Sequence, residues 1–357
     1  MVEYMGKDRT KLNYATGVDL NTFDNAKVKL ALAELQALDN WLGGTIHEAD
    51  PIYENFPKTP GSFYDNRVLT GRELAWIDGK FHFQTGILAF LTSGICTTTE
   101  AATSTHTMAM TNANLALATP IKTAFHFEKE TLGTVITKRI DLMGMIMPSL
   151  SIICGERRGL TVATQNFRAN FSYTLAAADD LAITSALTFA TYLPYTWFDL
   201  QNGGMTFQYG GTDLAISIVS VEIILGWSSF EADIYDATAY PTDGRNIPPF
   251  INRVRLGFRP YEHATYKSIF EIKNEALTAG AYASDLDLVL DFNKSATHYC
   301  KFSYDKLYMD PTSWDIQIQG DNSWFDGYMA TFDIISDDGS LTIEEKNALN
   351  NDYYENP

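Results

Sequence analysis

Apolar and polar positions alternate along much of this chain. From Thr161, residues Ala163, Gln165, Phe167, Ala169, Phe171, Tyr173 and Leu175 share one side, while Thr164, Asn166, Arg168, Asn170 and Ser172 share the other. A period of two marks a strand with one buried and one wet face, here longer than the usual five or six residues. The tip before it, Gly155-Glu156-Arg157-Arg158-Gly159, reads as a charged hairpin turn projecting beyond its sheet.

Leu286, Leu288, Leu290 and Phe292 alternate with Asp285, Asp287 and Asp291, and Val254, Leu256 and Phe258 with Arg253 and Arg255. Both runs predict half-buried strands with the apolar set inward. Trp314-Asp315-Ile316-Gln317-Ile318-Gln319 follows the same rule. Leu214 to Ile224 is β-branched and reads as a strand. Glu73 to Phe83 resembles a hairpin turning at Asp78-Gly79.

Other segments read differently. Val28, Ala31, Leu32, Leu35, Leu38 and Leu42 make a helical stripe over Ala26–Leu42, capped by Asp24 or Asn25 and stopped at Gly43-Gly44. The alternation of Val28, Leu30 and Leu32 competes with that helix. Thr85–Leu91 reads as a helical turn. Thr97–Thr107 and the Pro/Gly-containing stretch Asp233–Pro249 read as loops. Thr342-Ile343-Glu344-Glu345 has a capping-box pattern that predicts a short C-terminal helix.

Four regions follow: an N-terminal arm over 1–62, β-rich lobes over 63–200 and 201–333, and a tail over 334–357. Each lobe shows a strand, an insertion and a return strand, which suggests a duplication. The predicted fold is mainly β: two packed antiparallel sheets in a partly closed sandwich or barrel, with a flanking helix.

The chain has 357 residues, 45% of them hydrophobic and 13% aromatic, enough for a substantial core. No run of about 18 apolar residues predicts a membrane span, and the opening residues lack the apolar core of a secretory signal. The formal charge of −18 opposes tight nucleic-acid binding and suits a soluble, abundant protein. Cys96, Cys154 and Cys300 are too few for a disulfide framework and read as buried thiols.

Chemistry-bearing patterns are sparse. Phosphate-loop, nucleophile-elbow and zinc-protease motifs do not occur, and no cofactor is expected. His82 and His126, each between phenylalanines, read as polar-face residues. A calcium-loop register that puts Gly339 at position six and Glu345 at twelve fails at Ile334, where a carboxylate is needed; a turn before the C-terminal helix fits better. Asp179-Asp180 and Asp285/Asp287/Asp291 read as solvated or interface charge rather than catalytic pairs. Tyr192 to Phe198 reads either as a core corner or as a sugar-stacking patch.

The order of these features resembles the tail tube proteins of long-tailed bacteriophages and related archaeal viruses. The resemblance rests on Trp76 to Phe83, Ile87 to Leu91, Phe125 to Glu130, Ile140 to Ile152, Val219 to Ile224 and Ile251 to Leu256, and spans about 65–330. It implies a structural virion protein, not an enzyme, assembled in the host cytoplasm. Copies would join into rings of three duplicated chains or of six, stacked as a tube. Tape-measure, tail-terminator and baseplate or distal tail proteins would be its partners; DNA would be present only in transit, and no membrane is involved. Physically, such a bore should avoid holding phosphate. Asn166, Asn170 and Ser172, or Asp285, Asp287 and Asp291, are candidates for its lining; Arg168 would need an acidic neighbour. Gly155, Glu156, Arg157 and Arg158 are candidates for contacts between rings. The alternative is a monomeric β-sandwich that binds carbohydrate; a hydrolase with an acidic pair is a third reading.

Overall fold

The computed structural model describes the backbone of residues 10–16, 36–37, 41–47, 51–56, 66–72, 75–83, 99–102, 105–111, 123–131, 135–145, 149–156, 158–169, 171–175, 194–235, 241–279, 283–317, 327–333 and 339–346. Among these residues the chain is mainly β, with antiparallel pairing throughout its named strands and two helices.

The first half supplies β1 (Thr10–Thr16), β2 (Gln36–Ala37), β3 (Trp41–His47), β4 (Pro51–Phe56), β5 (Asn66–Arg72), β6 (Ala75–Phe81), β7 (Thr99–Ala102), β8 (Thr105–Met110), β9 (Thr123–Thr131), β10 (Val135–Met145), β11 (Ser149–Gly155), β12 (Arg158–Ala169) and β13 (Phe171–Leu175). Helix α1 (Trp197–Gly203) leads into β14 (Met205–Tyr209), β15 (Thr212–Asp213), β16 (Ile216–Tyr235) and β17 (Pro241–Pro260). Helix α2 (Ile269–Ala279) precedes β18 (Ala283–Ser295), β19 (His298–Met309), β20 (Asp315–Gln317), β21 (Gly327–Asp333) and β22 (Ser340–Lys346).

The largest sheet has the order β15-β14-β18-β19-β21-β17-β16-β11-β12-β6-β3. It branches at β19, whose first part pairs β22, itself paired to β8 and on to β7, while its last residues Tyr308 and Met309 pair β21. One wing is therefore β7-β8-β22-β19-β18-β14-β15, the other β20-β21-β17-β16-β11-β12-β6-β3.

The wings share one core. Leu286, Leu288, Leu290, Phe292, Phe302, Leu341 and Ile343 of the first wing cluster with Leu150, Ile152, Val221, Ile223, Leu225, Val254, Leu256 and Phe258 of the second. Phe207 of β14 meets Phe332 of β21 edge-on at 5.1 Å. Phe83, just beyond β6, meets Phe292 of β18 at 5.2 Å, also edge-on. These contacts bring the two apolar faces together, although the sheet itself is not closed. The boundary drawn at residue 200/201 does not separate sheets, because β11 pairs β16 across it. A second sheet, β13-β10-β9-β1-β2, and the hairpin β4-β5 stand outside this branched sheet.

Both helices follow local rules. Thr196 caps α1: its hydroxyl accepts from the Asp199 amide while the Asp199 carboxylate accepts from the Thr196 amide. Helix α1 continues the edge of β18 where β14 begins, with the Asp291 amide donating to the Gly204 carbonyl. Gly203 makes this approach possible, since a Cβ there would sit 2.0 Å from the Asp291 carbonyl oxygen. In α2, Ile269, Ile272 and Ala276 are buried at helical spacing.

Several sequence expectations are corrected. Strand β6 runs straight through Asp78-Gly79, where Gly79 pairs Thr164 on one side and Gly44 on the other, so no turn forms there. The helix expected over Ala26–Leu42 gives way at its end to β2 and the start of β3; its earlier part lies outside the described residues. The long strand from Thr161 is two strands in two different sheets, β12 and β13. Thr97–Thr107 contains β7 and β8 rather than a loop. The capping-box segment Thr342–Glu345 is strand β22, hydrogen-bonded between β8 and β19 with Leu341, Ile343 and Glu345 buried on one face. The loop expected at Asp233–Pro249 forms much of a long two-stranded ribbon. Ile316 is 68% exposed, not inward. The helical turn over 85–91, and Cys96, lie outside the described residues; Cys154 and Cys300 are buried free thiols as expected.

Candidate functional site

The three acidic lining candidates sit on one strand. In β18, Leu286, Leu288, Leu290 and Phe292 are fully buried, so the alternating Asp285, Asp287 and Asp291 face away from the core. Asp285 is exposed, the other two half-buried. Neighbouring strands add charges of both signs to this face by register. Asp291 stands opposite Lys301 of β19, and Lys301 opposite Glu344 of β22.

Electrostatics on this face are those of crowded carboxylates. Burial pushes the Asp287 carboxyl above its ordinary range, and repulsion from Asp305 and Asp285 adds to the shift; the Lys306 amide, donating to Asp287 Oδ1 at 3.3 Å, opposes it. Burial likewise raises Asp291, against a hydrogen bond from Asn293 and the attraction of Lys301. Tyr299 donates its hydroxyl to Glu344 Oε1, and burial with that bond raises its pKa to about 12. No group of three or more His, Cys, Asp or Glu among the described residues is arranged to hold a metal ion.

On the outward face of the other wing, three arginines of β17 are matched by acids. Arg253 meets Asp333 at 2.6 Å, Arg255 meets Asp315 at 3.4 Å and Glu222 at 4.0 Å, and Arg259 meets Glu156 at 3.3 Å. Partly exposed pairs such as these contribute little to stability, about 0–1 kcal/mol each. Their consequence is local charge balance.

The other candidates are dispersed. Asn166 lies in β12 where the pairing with β6 slips, between Thr164 and Phe167. Ser172 lies in β13, opposite Leu142. Asn170 falls outside the described residues, and so does Arg157. At the supposed projecting tip, Gly155 is buried and paired with Ser220 and Arg158. The Glu156 amide donates to the Val219 carbonyl, and its carboxylate reaches Arg259, so this turn folds against its own sheet. Glu345, the would-be twelfth calcium-loop position, is fully buried in β22, opposite His106 of β8. Of the aromatic patch at Tyr192–Phe198, Tyr195 and Trp197 belong to the core and Phe198 is well exposed, while Tyr192 lies outside the described residues.

The element that projects is one the alternation did not reveal. Strands β16 and β17 pair along nearly their whole length, from Ile216–Pro260 to Tyr235–Pro241. Strand β11 covers the outer edge of β16 only from Ser220 to Gly226, and β21 covers β17 only from Arg253 to Phe258. Beyond Gly226 and Arg253 no described strand pairs with either outer edge. At ~3.3 Å per residue, this ribbon extends roughly 25–30 Å. The edges differ. Strand β17 carries Pro241, Pro248 and Pro249, which lack the amide that an added strand would need. Pro248 and Pro249 sit where two residues of β17 oppose Ser228 alone, between the pairs Trp227–Phe250 and Ser229–Ile247. Strand β16 has no proline from Trp227 to Tyr235, so its edge can accept a neighbour.

No protein-family model matches this chain, and no curated protein matches it.

Proposed function

We propose that this chain is a self-assembling structural protein of a viral tail tube, in which sister copies complete one another's sheets around a channel for DNA. The observation that carries the reading is the ribbon at the end of β16 and β17, with one proline-free edge and one proline-bearing edge. An isolated two-stranded ribbon is marginal in water, and an unpaired edge invites pairing with another chain. Supplying a strand to, or taking one from, the next copy resolves both. The partly closed form, the duplication into two lobes and the choice between three and six copies per ring belong to this proposal.

The charge distribution supports a bore that does not retain DNA. The net charge of −18, the carboxylates of β18 and the arginine–acid pairs of β17 weaken the attraction of this surface for phosphate. In this reading β18 and its neighbours line the channel, and the ribbon reaches the adjacent copy.

Purified protein imaged by negative stain tests the proposal. Rings or tubes of uniform diameter are expected. A protein that stays monomeric at high concentration, with the ribbon intact, overturns it.

A further inference from the structure

The two wings leave a cleft between β14 and the start of β16, below the first residues after β17. It has a volume of about 360 Å³, within the roughly 300–1,000 Å³ range of small-molecule sites. Phe207 and Leu214 give it an apolar floor; Asp213, Gln201, Tyr261 and Tyr266 are among its other lining residues. We propose that this cleft binds a neutral saccharide of one or two rings, which goes beyond the tube reading and does not depend on it.

The chemistry of the walls selects that class. A sugar offers a ring of hydroxyl donors and a weakly apolar C–H face. Asp213 accepts one hydrogen bond from Gln208 at 2.7 Å and keeps lone pairs for a hydroxyl. Tyr261 and Tyr266 are partly exposed and supply flat faces with polar tips. The Tyr266 ring stacks on His263 at 3.8 Å, which restrains its orientation before a ligand arrives. Burial raises the Tyr261 pKa, with Tyr266 and Asp213 adding to the shift, in keeping with their closeness. Carboxylates in the wall disfavour an anionic ligand, and the balance of Glu156 by Arg259 removes one attraction for a cation.

Saturation-transfer NMR on the full chain with maltose, lactose and chitobiose at millimolar concentration tests this. At least one disaccharide should give transfer to its ring protons. Tyr261→Ala and Tyr266→Ala should each weaken binding by up to about tenfold, as expected for loss of an aromatic contact. Asp213→Asn should weaken it as well, while Ile316→Ala, at an exposed position elsewhere, should not. Thermal melts of every variant show whether each remains folded. Absence of transfer to all three sugars overturns the proposal, as does binding that survives both tyrosine changes. Binding of spermidine in place of the sugars makes the cleft a cation site and overturns it too.

Discussion

Cutting the ribbon from the body separates its role in assembly from any role in folding. Trp227 and Phe250 are cross-strand partners with rings edge-on at 5.1 Å, and Phe250 packs against the core, so both stay. Residues 228–249 are replaced by Asn-Gly, a two-residue turn that suits a hairpin. The buried positions of both strands, Ile216 to Leu225 and Val254 to Phe258, are untouched. Unfolding free energy measured in urea should therefore change by less than about 1 kcal/mol, since the loop-closure cost varies only slowly with loop length. Assembly should change far more. A 25–30 Å edge presents about four outward-facing pairing positions at the strand repeat. Each such residue exchanges an N–H and a C=O bond with its partner, about eight bonds in all; at about 0.5 kcal/mol of net gain per bond, losing them removes roughly 4 kcal/mol per contact, an association weaker by about 1,000-fold. Sedimentation velocity across a concentration series reads this directly. A shortened protein that still forms tubes refutes the reasoning about assembly. A loss of several kcal/mol in stability would show that the ribbon packs on its own body.

Further expectations concern the body of the fold. Phe292→Ala removes a fully buried ring that touches Phe83 and Phe302, and should cost about 3–5 kcal/mol in urea unfolding; a loss below 1 kcal/mol contradicts the shared core. Gly203→Ala places a methyl 2.0 Å from the Asp291 carbonyl oxygen, so α1 must shift and the melting temperature should fall clearly. Asp287 has a folded pKa above its ordinary 3.8, so the native state holds its proton more tightly than the unfolded chain. Stability from this group is greatest below pH 3.8 and is lost as pH rises to the folded value. Asp287→Asn should therefore be more stable than wild type at neutral pH and lose that advantage in acid; equal melting curves at both pH values refute the assignment.

Much of the core was legible because alternation and burial coincide. Leu286, Leu288, Leu290 and Phe292, like Val254, Leu256 and Phe258, are inward as their period of two requires. The misread segments carried two signals at once. Leu341, Ile343 and Glu345 also alternate, but the capping-box spacing of Thr342 and Glu345 suggested a helix until tertiary pairing with β8 and β19 decided otherwise. Asp78-Gly79 has hairpin chemistry, yet Gly79 and Gly44 lie side by side in neighbouring strands, where a Cβ on Gly44 would sit 2.0 Å from the Asp78 carbonyl oxygen. The ribbon was hidden by its own prolines and glycine, which normally signal loops and are tolerated here because no described strand pairs with the outer edge of β17 before Arg253. The acidic strand was found from sequence, whereas the cleft was not, because its residues come from separated parts of the chain.

The most direct measurement is the mass of the purified chain by light scattering as concentration is raised, with the same samples imaged by negative stain. The account predicts a rise from single chains to closed rings and then to stacked tubes of constant width. A constant mass of 39.9 kDa at every concentration, with isolated particles on the grid, contradicts it.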